Sequence, residues 1–80
     1  MNRSTEHAPD QTLAGALRQL RRDSGSTQED VAHRAGMTVA ALARIERGQA
    51  NPRWTTVGRI AGALKISLAD LIATVEDALV

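Results

Sequence analysis

The segment from Thr27 to Gly48 constrains the fold of this 80-residue chain more than any other part of it. Apolar residues recur at helical spacing on both sides of Gly36, and glycine readily takes the positive φ of a tight turn between two helices. Thr27, with Asp30 three residues later, and Thr38 are typical helix-capping residues. The segment therefore predicts two short helices joined by a glycine turn, an arrangement that can hold one helix out from a small body.

Helical spacing also covers the rest of the chain, and no sustained period-two alternation or Asn-Gly hairpin turn indicates a strand. We predict an all-α domain of five helices. Residues 1–10 hold no large aliphatic residue beyond Met1 and are predicted to be a flexible N-terminal tail, so that residues 11–80 form the domain. The predicted helices cover roughly 11–22, the stretch between Thr27 and Gly36, roughly 39–47, roughly 54–64, and the stretch from Ser67 to about 78.

Charge is distributed unevenly along the chain, although the net charge is only +1. Eight arginines and four acidic residues lie between positions 11 and 60, so this window carries +4, while Asp70, Glu76 and Asp77 make the C-terminal end acidic. A basic body with an acidic end suits an anionic partner on one face. The alternative is that the arginines only solvate helix surfaces.

Several function classes lack the residues that they need. The chain has no cysteine, which excludes disulfides and cysteine-based zinc sites and fits a reducing compartment. His7 and His33 have no third ligand at metal spacing, and no nucleophile, acid and base can be assembled, so we expect no metal, no cofactor and no enzymatic activity. No membrane span or signal region is present, which predicts a soluble, cytoplasmic, nucleoid-associated protein.

Trp54 is the only aromatic residue of the chain. We predict that it is a core anchor between helices 4 and 1. Binding of single-stranded nucleic acid normally uses several aromatic side chains, so a single tryptophan argues against that class of partner.

The third predicted helix has two contrasting sides. At about 100° per residue, Ala41, Leu42 and Ile45 fall together and are predicted to pack inward. The opposite arc faces outward, and its small side chains would let the helix approach the floor of a DNA major groove. Arg44 could donate two hydrogen bonds to guanine or bind a phosphate. The outward residues are Val39, Ala40, Ala43, Arg44 and Arg47.

The sequence resembles the Cro/repressor-type helix-turn-helix family of bacterial and phage regulators, also called the xenobiotic-response-element family. The resemblance extends from about Leu17 to Ile72. Its elements, in order, are Arg21, Gly25, Thr27-Gln28-Glu29, Ala32, Gly36, Ile45-Glu46-Arg47-Gly48, Asn51-Pro52, Ala61 to Leu64, and Ser67 to Leu71. It implies a five-helix, lambda-repressor-like DNA-binding domain whose helix-turn-helix is formed by helices 2 and 3.

The resemblance also implies roles for individual residues. Gln28 would bind a DNA phosphate at the start of helix 2, and Arg47 and Arg53 would meet further phosphates. Arg21 and Glu46 would form a structural ion pair that ties helix 1 to the end of helix 3. The groove-facing positions would be Thr38, Val39, Ala40, Ala43 and Arg44.

Two positions depart from the family pattern. The first two groove-facing positions are often polar or basic in such regulators, whereas this chain has Val39 and Ala40, so base readout is expected to be modest. Position 65 often carries glycine at the end of helix 4, and Lys65 would cost of order 1 kcal/mol in a left-handed conformation.

The apolar stripe of helix 5 is longer than one contact with the body needs. Leu68 and Leu71 are predicted to pack inward, whereas Ile72, Val75 and Leu79 are predicted to form a homodimer interface. The alternative is fraying in a monomer. A symmetric dimer would place two third helices about 34 Å apart, one turn of DNA.

The sequence therefore predicts a homodimeric, sequence-specific regulator of transcription that binds double-stranded DNA at a near-palindromic operator. The compact size favours a phage-type repressor or a restriction–modification controller, which are often about this long. The alternatives are an antitoxin that binds a toxin, and a protein-interaction module that keeps the fold without strong DNA readout. Val39, Ala40 and Ala43 motivate the second alternative.

Overall fold

The computed structural model describes residues 10–79, which form five α-helices and no strand. The all-α prediction is confirmed. Each helix lies close to its predicted position, and the differences concern single residues at the ends. The helices are α1 (Gln11–Asp23), α2 (Gln28–Ala35), α3 (Val39–Glu46), α4 (Trp54–Ala63) and α5 (Leu68–Leu79).

The first nine residues of the predicted tail, including His7, lie outside the described residues. Asp10, which we assigned to that tail, instead caps α1: its carboxylate accepts a hydrogen bond from the Leu13 N–H at 3.0 Å. The Asp10 N–H donates to Oδ1 of Asn51 at 2.6 Å. The domain therefore begins one residue earlier than predicted, because the start of α1 is tied to the loop after α3.

The predicted caps of α2 are present. The Asp30 N–H donates to Oγ1 of Thr27 at 3.1 Å, and the Thr27 N–H donates to a carboxylate oxygen of Asp30 at 3.2 Å, which completes the capping box. These hydrogen bonds lower the pKa of Asp30. Because the folded pKa is depressed, the box contributes to stability at neutral pH and loses that contribution as the pH falls through the folded pKa.

The cap of α3 is also as predicted, and a serine hydroxyl caps α5. Thr38 accepts from the Ala41 N–H at 3.0 Å, and Ser67 accepts from the Asp70 N–H at 3.0 Å. Gly36 ends α2 in the left-handed conformation, at φ 68°. Gly36 therefore forms the tight turn that the sequence predicts between α2 and α3.

Each helix contributes at least one fully buried large apolar side chain to a single core: Leu17, Val31, Leu42, Val57, Ile60 and Leu71. The helix α2 packs most extensively on α4, and α1 packs on α5. The helix α3 contacts α2 and α1 along one side only. Its other side is left at the surface.

The prediction that Trp54 is a core anchor is wrong. Its side chain is 66% exposed. The inward side of α4 is formed by Val57, Ile60 and Ala61, and Trp54 begins the helix at its outer end, where it adjoins Leu13 and the α5 residues. Because Leu13 and α5 cover only part of the indole, it lies at the edge of the core.

Lys65 takes the left-handed conformation between α4 and α5, at φ 60°. It is the only non-glycine residue with positive φ among residues 10–79. This conformation is the one expected from the position that glycine often occupies in the family.

Candidate nucleic-acid interface

The helix α3 presents a solvent-exposed face that is formed by small and basic side chains. On its inner side, Leu42 and Ile45 are buried. On its outer side, Ala40, Arg44 and Arg47 are exposed, and Val39 is 39% exposed. Thr38, at the N-terminal cap, is also exposed. Ala43 is half-buried, so it lies at the edge of this outer face.

A buried ion pair holds the C-terminal end of α3. Glu46 is only 2% exposed, and Arg21 donates from Nε and Nη2 to its two carboxylate oxygens at 2.8 and 2.9 Å. The hydrogen bonds to Glu46 raise the pKa of Arg21 above its ordinary value, so the guanidinium stays charged. The two parallel bonds fix both distance and orientation between α1 and α3, as bidentate arginine–carboxylate pairs do.

Gln28 joins the same network. Its Nε2 donates to Oε1 of Glu46 at 3.2 Å, and the side chain is half-buried. A side-chain amide carries two N–H donors, so one remains for a second acceptor. The structure therefore places the predicted phosphate-binding residue at the start of α2, held by the carboxylate that also orients α3.

Two residues that the sequence analysis did not assign hold the same end of α3. Nη1 of Arg18 donates to the carbonyl oxygen of Glu46 at 2.8 Å, and Nε2 of Gln11 donates to the carbonyl oxygen of Gly48 at 2.9 Å. These carbonyls lie in and just beyond the last turn of the helix, where backbone acceptors lack helical partners. The sequence does contain a signal for this role. At helical spacing, positions 11 and 18 fall on the same side of α1 as Arg21, which was predicted to bind the end of α3.

Gly48 closes this end of the helix. It takes φ 70°, and a side chain there would clash with the amide of Gln11. The position therefore favours glycine for its conformation, and a side chain there would displace the Gln11 amide that binds the Gly48 carbonyl.

The remaining predicted phosphate ligands lie beyond this end of α3. Arg47, at the C-terminal cap, is exposed, and its Nε donates to Oε1 of Gln49 at 3.2 Å. Arg53, at the N-terminal cap of α4, is also exposed. Together with Arg44 they surround the loop between α3 and α4 with positive charge.

The sequence profile of the helix-turn-helix domain matches residues 12–74. This range includes all of α2 and α3, with the glycine turn between them. The chain belongs to the helix-turn-helix family of DNA-binding regulators.

Relatives of this helix-turn-helix regulator agree with that assignment. It is 38% identical over 58 residues to the uncharacterized HTH-type transcriptional regulator y4dJ of Sinorhizobium fredii, a match that covers 72% of this chain and 75% of the relative. Its fold resembles that of the clp gene regulator ClgR of Corynebacterium glutamicum, with a TM-score of 0.82, 26% identity, and coverage of 86% of this chain and 73% of that one.

The fold also resembles that of the restriction–modification controller protein C.Esp1396I. The TM-score is 0.84 at 20% identity, over 88% of this chain and 90% of that one. At this identity the likeness concerns the fold alone. The five-helix arrangement of this regulator is therefore shared with solved regulators of very different sequence.

A second exposed surface of the helix-turn-helix regulator is apolar. A groove of about 220 Å³ runs between α4 and α5 beside the start of α1. Most of its lining residues are apolar, among them Leu13, Trp54, Ile72 and Val75, and Asp10 and Glu76 line it as well. Ile72 is 38% exposed, and Leu79 is 68% exposed. Val75 is half-buried against the core, so it has more cover from its own chain than the sequence analysis expected. We refer to Leu13, Trp54, Ile72, Val75 and Leu79 as the apolar face.

Residues 10–79 contain no group of three metal-binding side chains and no helix that is long and apolar enough to cross a membrane.

Proposed function

We propose that this protein binds double-stranded DNA sequence-specifically, as a homodimer on a near-palindromic operator, and thereby regulates transcription. The helix α3 enters the major groove, and Arg44 is its main base-reading side chain. Thr38, Val39, Ala40 and Ala43 line the groove contact. Gln28, Arg47 and Arg53 bind backbone phosphates on either side of it.

The orientation of α3 carries the proposal. Its inner side is buried, its outer side holds two exposed arginines between small side chains, and its C-terminal end is fixed by α1. Small side chains allow close approach to the floor of a groove, and a fixed helix loses little conformational freedom on binding. An exposed helix with mobile ends would lose more conformational freedom on binding DNA and would support the proposal less.

The apolar face supports dimer formation. Ile72 lies on α5 with Trp54 beside it, and Leu79 is exposed two turns further along the same helix. Exposed apolar side chains on one side of a small domain favour association. A two-fold dimer uses the same surface on both copies. It would present two α3 helices to DNA, so the operator would have two related halves.

Selection of bound fragments from random duplex DNA tests this function. We expect an enriched motif with approximate two-fold symmetry and half-sites one DNA turn apart, about 10 base pairs between centres. An enriched motif without symmetry would contradict the dimer while leaving DNA binding in place. Failure to enrich any sequence, with binding at low salt equal for all duplexes, would contradict sequence-specific function.

A second candidate is a protein-interaction module, which includes an antitoxin that binds its toxin. The observation that favours it is the exposed, apolar Val39 beside Ala40 at the start of α3, where hydrogen-bonding side chains would give stronger base readout. For such a module, DNA affinity would be low and unchanged by Arg44→Ala and Gln28→Ala, and a protein partner would bind tightly.

The regulatory role within the cell follows from genomic context. A restriction enzyme gene beside this one would indicate a controller, a toxin gene an antitoxin, and a phage module a repressor. A DNA partner places the protein in the cytoplasm with the nucleoid, and none of these roles involves catalysis or a cofactor.

A further inference from the structure

A groove separates α3 from α4, and the loop between these helices forms one of its walls. The groove has a volume of about 350 Å³. Three arginines from three parts of the chain line it: Arg44 on α3, Arg53 before α4, and Arg59 in the middle of α4. Thr56, one turn before Arg59, lines it as well. We call this the arginine groove.

The charges of the arginine groove are not compensated within the domain. No acidic side chain among residues 10–79 lines it, and none of the three guanidinium groups forms a salt bridge there. All three arginines are exposed. Like charges that surround one groove repel one another and raise the local positive potential, so an anion in the groove would relieve the repulsion.

The position of the groove identifies the anion. Its first two arginines belong to the surface that we propose to meet DNA, and the groove continues that surface from α3 onto α4. A guanidinium group binds phosphate oxygens with two parallel hydrogen bonds, and a threonine hydroxyl can add a third donor. A phosphate of the DNA backbone therefore fits both the chemistry and the location.

We propose that the arginine groove receives a backbone phosphate of the bound duplex and that Arg59 is a further DNA contact. This inference rests on the proposed function. The sequence alone does not indicate a role for Arg59, because position 59 belongs to no element of the family resemblance and only the packing of α4 places it in the same groove as Arg44 and Arg53.

Salt dependence of binding to random-sequence duplex DNA tests the inference without knowledge of the operator. Each phosphate contact contributes about 0.9 to the slope of log affinity against log salt concentration. We expect Arg59→Gln to flatten the slope by about that amount. Lys65→Gln removes the same charge from an exposed residue beyond the far end of α4, and we expect the wild-type slope from it.

The outcomes separate the two proposals. If wild-type protein binds with a steep slope and Arg59→Gln behaves like Lys65→Gln, the arginine groove does not contact DNA, and the inference alone fails. If wild-type protein does not bind any duplex at low salt, both proposals fail. Equal thermal melting of the two variants confirms that they are folded, as expected for exposed side chains.

Phosphate ethylation interference on the selected operator locates the contact. With wild-type protein, we expect ethylation of one particular phosphate in each half-site to weaken binding, and this interference to disappear in Arg59→Gln. A groove that binds an acidic protein segment or free phosphate in place of DNA would leave the interference pattern unchanged, which would overturn the inference.

Discussion

The two exposed surfaces of this small domain are built in opposite ways. The outer face of α3 is flanked by arginines, and beneath it lies a buried polar network of Arg21, Gln28 and Glu46. The apolar face on α1, α4 and α5 has no such support, and its side chains continue the core outward to solvent. A surface that must meet DNA in one register needs directional bonds behind it, whereas association of apolar side chains is not directional.

Of the substitutions proposed here, removal of Glu46 from the network behind the outer face of α3 is expected to reduce stability the most. Glu46→Ala leaves the mostly buried Arg21 without its partner, and loss of one member of a buried pair costs about 3–5 kcal/mol. We expect a decrease near the lower end of this range in the free energy of unfolding, measured by urea denaturation.

Asp77→Ala is the control for Glu46→Ala, because it removes an exposed acid of α5. A decrease of less than about 1 kcal/mol for Glu46→Ala, as for an exposed ion pair, would contradict the supporting role of the network. If Glu46→Ala does not fold, Glu46→Gln keeps the shape of the side chain, and its stability answers the same question.

A charge on the apolar face is expected to abolish the dimer without unfolding the domain. Ile72→Asp places a carboxylate among apolar side chains at the proposed interface, and burial of an unpaired charge is strongly unfavourable. Analytical ultracentrifugation should show a monomer. Ala73→Asp adds the same charge at the adjacent exposed position and should remain dimeric. A dimer of unchanged affinity for Ile72→Asp would mean that the subunits associate elsewhere.

Loss of Arg44 is expected to change specificity more than stability. Arg44→Ala should reduce discrimination by about 1–3 kcal/mol at one base pair in each half-site. Competition between the selected operator and single-base variants measures this. Arg34→Ala, at an exposed position of α2, is the matched control. A uniform loss of affinity for every sequence would show that Arg44 binds a phosphate and not a base.

Substitution of Lys65 is expected to have the smallest effect on stability. This residue joins α4 to α5, and its backbone conformation sets the direction of the helix that carries most of the apolar face. Lys65 holds φ 60°, which glycine adopts without the steric penalty of a side chain. We expect Lys65→Gly to raise the free energy of unfolding by roughly 1 kcal/mol. Lys65→Ala, which keeps the Cβ atom, should give no such gain in the same denaturation experiment. A loss of stability for Lys65→Gly would mean that the lysine side chain makes a stabilising contact.

Local signals in the sequence determined much of the fold. Thr27 with Asp30, Thr38 and Gly36 each have a chemical role that acts within a few residues, and the structure contains all of them as predicted. The division of α3 into a buried and an exposed side also followed from its own periodicity.

The features that sequence could not determine depend on packing between distant residues. Trp54 has an apolar side chain at the edge of an apolar stripe, and only the position of α5 decides that it stays exposed. The hydrogen bonds of Gln11 and Arg18 to backbone carbonyls near residue 48 join groups that carry no sequence signature of their own. Arg59 likewise lines the same groove as Arg44 only because of how α4 packs in the domain.

We propose that duplex DNA binds at the outer face of α3 and not at the apolar face. NMR chemical-shift mapping of the full chain, with and without the selected duplex at low salt, tests this most directly. We expect the largest shift changes at Gln28, Val39, Arg44 and Arg47. Changes confined to Trp54, Ile72 and Leu79, or no change with any duplex, would contradict it.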